Sequence, residues 1–102
     1  MRVLHIVARA SQADPPLARC LASLNRGDAL LLIDGAADAA RRGHDDAARL
    51  EALPADVAVC VLAEPSSAAG HSGSGLIPRA ELVDFAGFVD LTVVCDTSVT
   101  WC

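Results

Sequence analysis

The sequence predicts one α/β domain over residues 1–102, with a mostly parallel sheet of four to five strands and helices on both faces, a three-layer arrangement. Three observations carry that reading. Ala29 to Ile33 and Val57 to Ala63 are continuous apolar runs, as expected of strands covered on both sides. Segments of helical character lie between the runs, the pattern of strand–helix–strand units. Hydrophobic residues make up 53% and charged residues 21% of 102 residues, enough for one core and too apolar for disorder. No repeat or internal boundary divides the chain.

Val3 to Ala8 reads as the first strand. Asp14-Pro15-Pro16 signals a helix start, because proline is tolerated in the first turn. Leu17, Cys20, Leu21 and Leu24 then fall at i, i+3, i+4 and i+7, on one helical face. Asn25 to Asp28 turns the chain into Ala29–Ile33, and Asp34-Gly35 ends that strand. Ala36 to Leu53 is alanine-rich and reads as helix, with a break near Gly43-His44; Pro54 stops it. The run from Val57 to Ala63 is the next strand. Glu64 to Gly75 is small, polar and glycine-rich, a loop. Ala80 to Val83 supplies a fourth short strand. From Asp84 onward the apolar residues fit either a helix or a strand by period. Length and the capping potential of Asp84 favour a helix.

The charge balance excludes some functions. There is no lysine, and eight arginines face thirteen acidic residues for a net charge of -5. Phosphate backbones repel such a chain, so direct nucleic-acid binding is not expected. The apolar runs are too short to span a bilayer. His5 and Arg9 interrupt the first apolar stretch, so it does not read as a signal peptide. The expectation is a cytoplasmic protein whose four cysteines stay reduced. The high apolar share suits a surface facing another subunit. So does the last third, which closes with VDFAGFVDLTVVCDTSVTWC, carries the sole tryptophan at Trp101 and must dock on its own domain or on a partner.

Cys20 is the candidate thiol for chemistry. Its position early in a helix favours a thiolate, although that field fades beyond the first turn. Its shared face with Leu17, Leu21 and Leu24 favours a packed, structural thiol. Cys60 is mid-strand, Cys95 ends an apolar helix, and Cys102 is terminal. No CxxC occurs, so neither a zinc site nor a dithiol is indicated, and no metal or organic cofactor is expected. Gly70 to Gly75 fails the nucleophile-elbow and phosphate-loop patterns and reads as a loop. His5 suits a satisfied strand histidine, in a neighbourhood worth marking. His44 beside Asp45-Asp46 suits a solvated helix surface. Asp34-Gly35 sits where parallel sheets gather ligands, and a plain turn accounts for it as well.

Leu4-His5, Cys20-Leu21, the stretch from Gly27 to Gly35, the segment from Val83 to Thr92 and the near-terminal Trp101 together resemble the DsrH/TusB family. These are small subunits of the DsrEFH and TusBCD sulfur-relay complexes. The resemblance spans nearly the whole chain and implies an α/β fold. It also implies assembly with DsrE/DsrF-like (TusD/TusC-like) sister subunits into a heterohexamer that passes persulfide sulfur to a downstream carrier protein. The implied role is an accessory or structural subunit serving tRNA wobble-uridine 2-thiolation. Alternatives are the sulfur-oxidation version of the complex, a sulfurtransferase in which Cys20 itself carries persulfide, and a structural homo-oligomer without relay activity. Cys20 matches a cysteine that some members carry in the first helix. Ala10-Ser11 stand where Ser-Pro is common, and Ile33 stands where Gln usually precedes Asp-Gly.

Overall fold

Strand β1 (Val3–Val7) lies inside the sheet, because the next strand in sequence pairs with one side of it and the last described strand with the other. The computed structural model describes residues 2–8, 16–44, 46–63 and 75–101. Five strands run in the order β4-β3-β2-β1-β5, with β2 at Ala29–Leu32, β3 at Ala58–Leu62, β4 at Ala80–Val83 and β5 at Thr97–Trp101. Every pairing is parallel. In register, Leu4 faces Ala29 and His5 faces Leu30 on one side of β1, while His5 faces Val99 and Val7 faces Trp101 on the other.

The strands alternate their side chains between two cores. Val7, Leu30, Leu32 and Val61 enter one core with Leu17 and Cys20 of helix α1 (Pro16–Ser23) and Leu50 of helix α2 (Ala47–Glu51). Leu4, Ile6, Leu31 and Cys60 enter the other, against Phe88 and Leu91 of helix α3 (Phe85–Val94). The chain steps from β1 to β2 to β3 in one direction and returns from β4 to β5 in the other. Right-handed crossovers in opposite directions lie on opposite faces, which gives the three layers expected from the sequence.

The alanine-rich stretch departs from the expected long helix. Asp34–Ala40 is a 3-10 helix, Arg41 forms an isolated bridge with Leu76, Gly43 turns at φ 84°, and α2 spans only five residues. At three residues per turn, Ala36 and Ala39 form one ridge and Ala37 and Ala40 a second. Both ridges are buried, while Gly35, Asp38 and Arg41 form the exposed third. Only a small side chain fits at four such positions. Past α2, one side chain gathers the chain. Arg79 donates to the carbonyls of Leu50, Leu53, Pro54 and Val57 at 3.0, 2.6, 2.8 and 2.8 Å, and to that of Glu51 at 3.2 Å.

Asp84 caps α3 as its sequence position suggests, its Oδ1 accepting the Gly87 N–H at 2.8 Å. A Cβ on Gly87 would come within 3.0 Å of the Val83 Cβ, so this glycine lets the helix settle close to its own strand. The helix leaves Phe85, Val89, Val93 and Val94 exposed. The greasy last third is therefore docked on its inner side and bare on its outer side. The helical reading also did not anticipate β5, whose Thr-Ser-Val-Thr-Trp composition suits a strand. The expected Asp14-Pro15 helix start and most of the Glu64–Gly75 loop lie outside the described residues.

Candidate functional site

The turn into β2 builds a polar centre inside an apolar molecule. Gly27 turns at φ 87°, which a side chain would resist, and brings Asp28 under the first strand. Asp28 is 1% exposed. Its Oδ1 accepts the Val3 N–H at 3.1 Å, and its Oδ2 accepts the Asn25 N–H at 3.0 Å and bonds His5 Nε2 at 3.0 Å. Burial pushes the Asp28 carboxyl up, but the donors from Asn25, His5 and Val3 outweigh it and hold the carboxyl below its ordinary range. The N-terminal end of β1 is tied down at the same place. Arg2 Nε donates to the Gly27 carbonyl at 2.7 Å, and the Arg2 N–H donates to Asp96 Oδ2 at 2.7 Å.

His5 is buried, and its second nitrogen faces the other end of the sequence. Trp101 Nε1 donates to His5 Nδ1 at 3.1 Å, and the two rings lie nearly parallel with centroids 6.2 Å apart. An indole N–H can only donate, so Nδ1 must be the accepting, unprotonated nitrogen. The proton therefore sits on Nε2 and points at the Asp28 carboxylate. The geometry fixes one neutral tautomer of His5. Trp101 closes β5 beside the end of β1, where the strand order changes direction. In open parallel sheets that point is the usual place for ligands.

Cys20 belongs to the same side of the sheet. It is 0% exposed, in the core that Leu17, Val7 and Leu30 share and against which Leu24 and Trp101 pack. Burial, and secondarily the Asp28 carboxylate, push its thiol up to about 12. A thiol held so far above neutrality is protonated, and a protonated thiol is a poor nucleophile. Cys60 and Cys95 lie in the opposite core. Burial, aided by the Glu81 carboxylate, raises Cys60 to about 11, and burial likewise raises Cys95. All three are free thiols, and Cys20 is separated from the other two by the sheet itself.

The remaining candidates scatter. Asp34 sits at φ 49° and opens the 3-10 helix, which satisfies the reading as a turn. His44 lies outside any helix, and its Nδ1 accepts the Asp46 N–H at 3.1 Å. Cys102 and Gly70 to Ser74 lie outside the described residues. A shallow hollow of about 410 Å³ lies at the ends of β3 and β4, lined by Ala63, Glu81, Leu82, Val83, Asp84 and Gly87. Among the described residues, no group of three or more His, Cys, Asp or Glu is placed to hold a metal ion. No described helix is long and apolar enough to cross a membrane.

Sequence reasoning marked His5 but missed Asp28 and Trp101 as its partners. One signal was present: an aspartate set directly against a strand of four buried residues needs local donors. Nothing in the local sequence points from His5 to a residue 96 positions away.

A family model described as DsrH like protein matches residues 10–98. The chain belongs to the DsrH-like family. Membership supports a subunit of a sulfur-relay complex, in line with the resemblance drawn from the sequence. Among solved structures, the chain is similar to the YchN protein from E. coli. The identity is 21% and the TM-score 0.80, with 99% of each chain covered. At that identity the likeness shows the fold. No curated protein matches the chain. In this DsrH-like chain the described thiols are sealed, and four of the five exposed large apolar side chains among the described residues lie on α3.

Proposed function

We propose that this DsrH-like chain is an accessory subunit of a cytoplasmic sulfur relay, contributing a docking surface while a sister subunit carries the persulfide. One observation carries the reading: the outer face of α3 stays bare while Cys20 is sealed. Phe85 is 69% and Val93 78% exposed, with Val89 and Val94 beside them. Apolar side chains clustered on one helix face are typical of surfaces that other proteins cover. Conversely, a fully buried thiol pushed up to about 12 cannot attack a donor persulfide until something exposes it. On this reading Cys20 is a packing thiol, and the persulfide stays on the sister subunit.

The relay version proposed is the one that serves tRNA wobble-uridine 2-thiolation, with DsrE/DsrF-like sisters and a downstream carrier as partners. A net charge of -5 suits a subunit that passes sulfur between proteins and leaves tRNA to a later enzyme. The test is co-expression with the sister subunits from the same genome. Persulfide from a cysteine-desulfurase donor is then located by intact mass in the wild type and in Cys20→Ser. Label confined to a sister, and loss of 2-thiouridine on deleting this chain, supports the proposal. Label on this chain that vanishes in Cys20→Ser overturns the accessory role. Unchanged 2-thiouridine in the deletion strain rejects the tRNA version.

A further inference from the structure

The contact between Trp101 and His5 has a polarity that a single proton reverses. The imidazole in its neutral form presents an acceptor to the indole and a donor to Asp28. A second proton, added at Nδ1, turns the acceptor into a donor. Two N–H groups would then face each other across 3.1 Å, while the bond to Asp28 becomes a charged pair. The indole loses its partner at the moment the histidine gains charge. We propose that His5 is a proton-operated latch for the C-terminal strand: neutral His5 seats Trp101 and β5, and protonated His5 releases them. This inference does not depend on the relay reading.

The position of β5 makes release a local event. Among the described residues it is an edge strand, paired with β1 alone, and four of its five residues are exposed. The half-buried Trp101 is its one side chain packed into the α1-side core. β2 and β3 are held by neighbours on both sides and by cores on both faces, so they need not open with β5. The ionisable groups around His5 come from each neighbouring element. Asp28 from the turn before β2 bonds it directly, and Cys20 from α1 lies near enough for Asp28 to act on it. Arg2 and Asp96 pair at the opposite end of the β1–β5 ladder. Of these, Asp28 is the one hydrogen-bonded to the ring.

The full chain, labelled with ¹⁵N, is titrated from about pH 8 to about pH 5, the range in which histidines change charge. At the high end, His5 is expected to show an unprotonated Nδ1, a protonated Nε2 and an exchange-protected Trp101 indole proton. As Nδ1 gains its proton, the indole proton is expected to lose at least about tenfold in protection, measured against its intrinsic exchange rate at each pH. The amides of Thr100 and Trp101 weaken with it, and those of β2 and β3 stay protected. Fluorescence of this sole tryptophan is expected to follow the same curve. His5→Gln abolishes the pH dependence if it folds; if it does not fold, the wild-type titration decides alone. A proton on Nδ1 at high pH overturns the latch. So does an indole that keeps its protection after His5 is charged, or a His5 that stays neutral until all strands open together.

Discussion

Trp101 donates its indole proton to Nδ1 of His5 across 96 positions of sequence, and that bond joins the last described strand to the first. Trp101→Phe keeps most of the packing and removes the donor. It is expected to lower stability by about 1 kcal/mol, the usual net worth of one hydrogen bond. Urea unfolding measures it as a lower midpoint at unchanged slope. A midpoint equal to that of the wild type would mean the bond contributes nothing.

Asp28 makes stability depend on acid. Its carboxyl is held below the ordinary range in the folded chain, because the donors from Asn25, His5 and Val3 outweigh the effect of burial. A depressed folded value means that the stabilisation is present above the unfolded value of about 3.9. It fades as pH falls from there through the folded value. Asp28→Asn is expected to be less stable at neutral pH, by about 3 kcal/mol, and to show a flatter loss of stability below about pH 4. Urea midpoints from pH 7 downward test both parts. Parallel curves for wild type and variant would remove Asp28 from the account.

Much of the fold was legible because its signals are local. The leucines around Cys20, the apolar runs of β2 and β3 and the cap at Asp84 each declare themselves within a few residues. β5 did not, because the helical period ahead of it continued to dominate the reading up to Cys95. The 3-10 helix was hidden by alanine, which suits any helix and says nothing about its pitch. At the site, His5 was visible as a polar residue in an apolar strand. Its partners arrive through the β1–β2 turn and the β1–β5 pairing, which are properties of topology and of no single stretch of sequence.

Cys20 is expected to resist alkylation. At pH 8, iodoacetamide should modify it at least about a hundredfold more slowly in the folded chain than in urea, since labelling must wait for an opening of a few kcal/mol. Peptide mass spectrometry separates it from the other cysteines. Equal rates in the two states would show an open thiol and restore Cys20 as a candidate carrier.

The outer face of α3 is expected to separate folding from assembly. Phe85→Glu and Val93→Glu lie at exposed positions and should change unfolding free energy by less than about 0.5 kcal/mol. Together they are expected to weaken capture by co-expressed sister subunits at least about tenfold, because a charge facing an apolar partner is left unpaired. Unaltered capture would move the interface elsewhere on the chain.

Arg79 is worth more as a fork than as a charge. Arg79→Lys keeps the charge but cannot reach five carbonyls at once, and about 2 kcal/mol of stability is expected to be lost. Thermal unfolding checks this as a fall of roughly 10 °C. A fall of only a degree or two would mean that water replaces the lost donors.

The pairing of β1 with β5 also sets the order in which the molecule can be completed. Strands β1 to β4 are in hand once residue 83 has been made, yet one flank of β1 still lacks its neighbour. During synthesis, which proceeds from the amino end, the inner strand waits as a temporary margin with its hydrogen-bonding groups unclaimed. Closure arrives only with residues 97–101, so a chain stopped before them would leave an early strand permanently unframed.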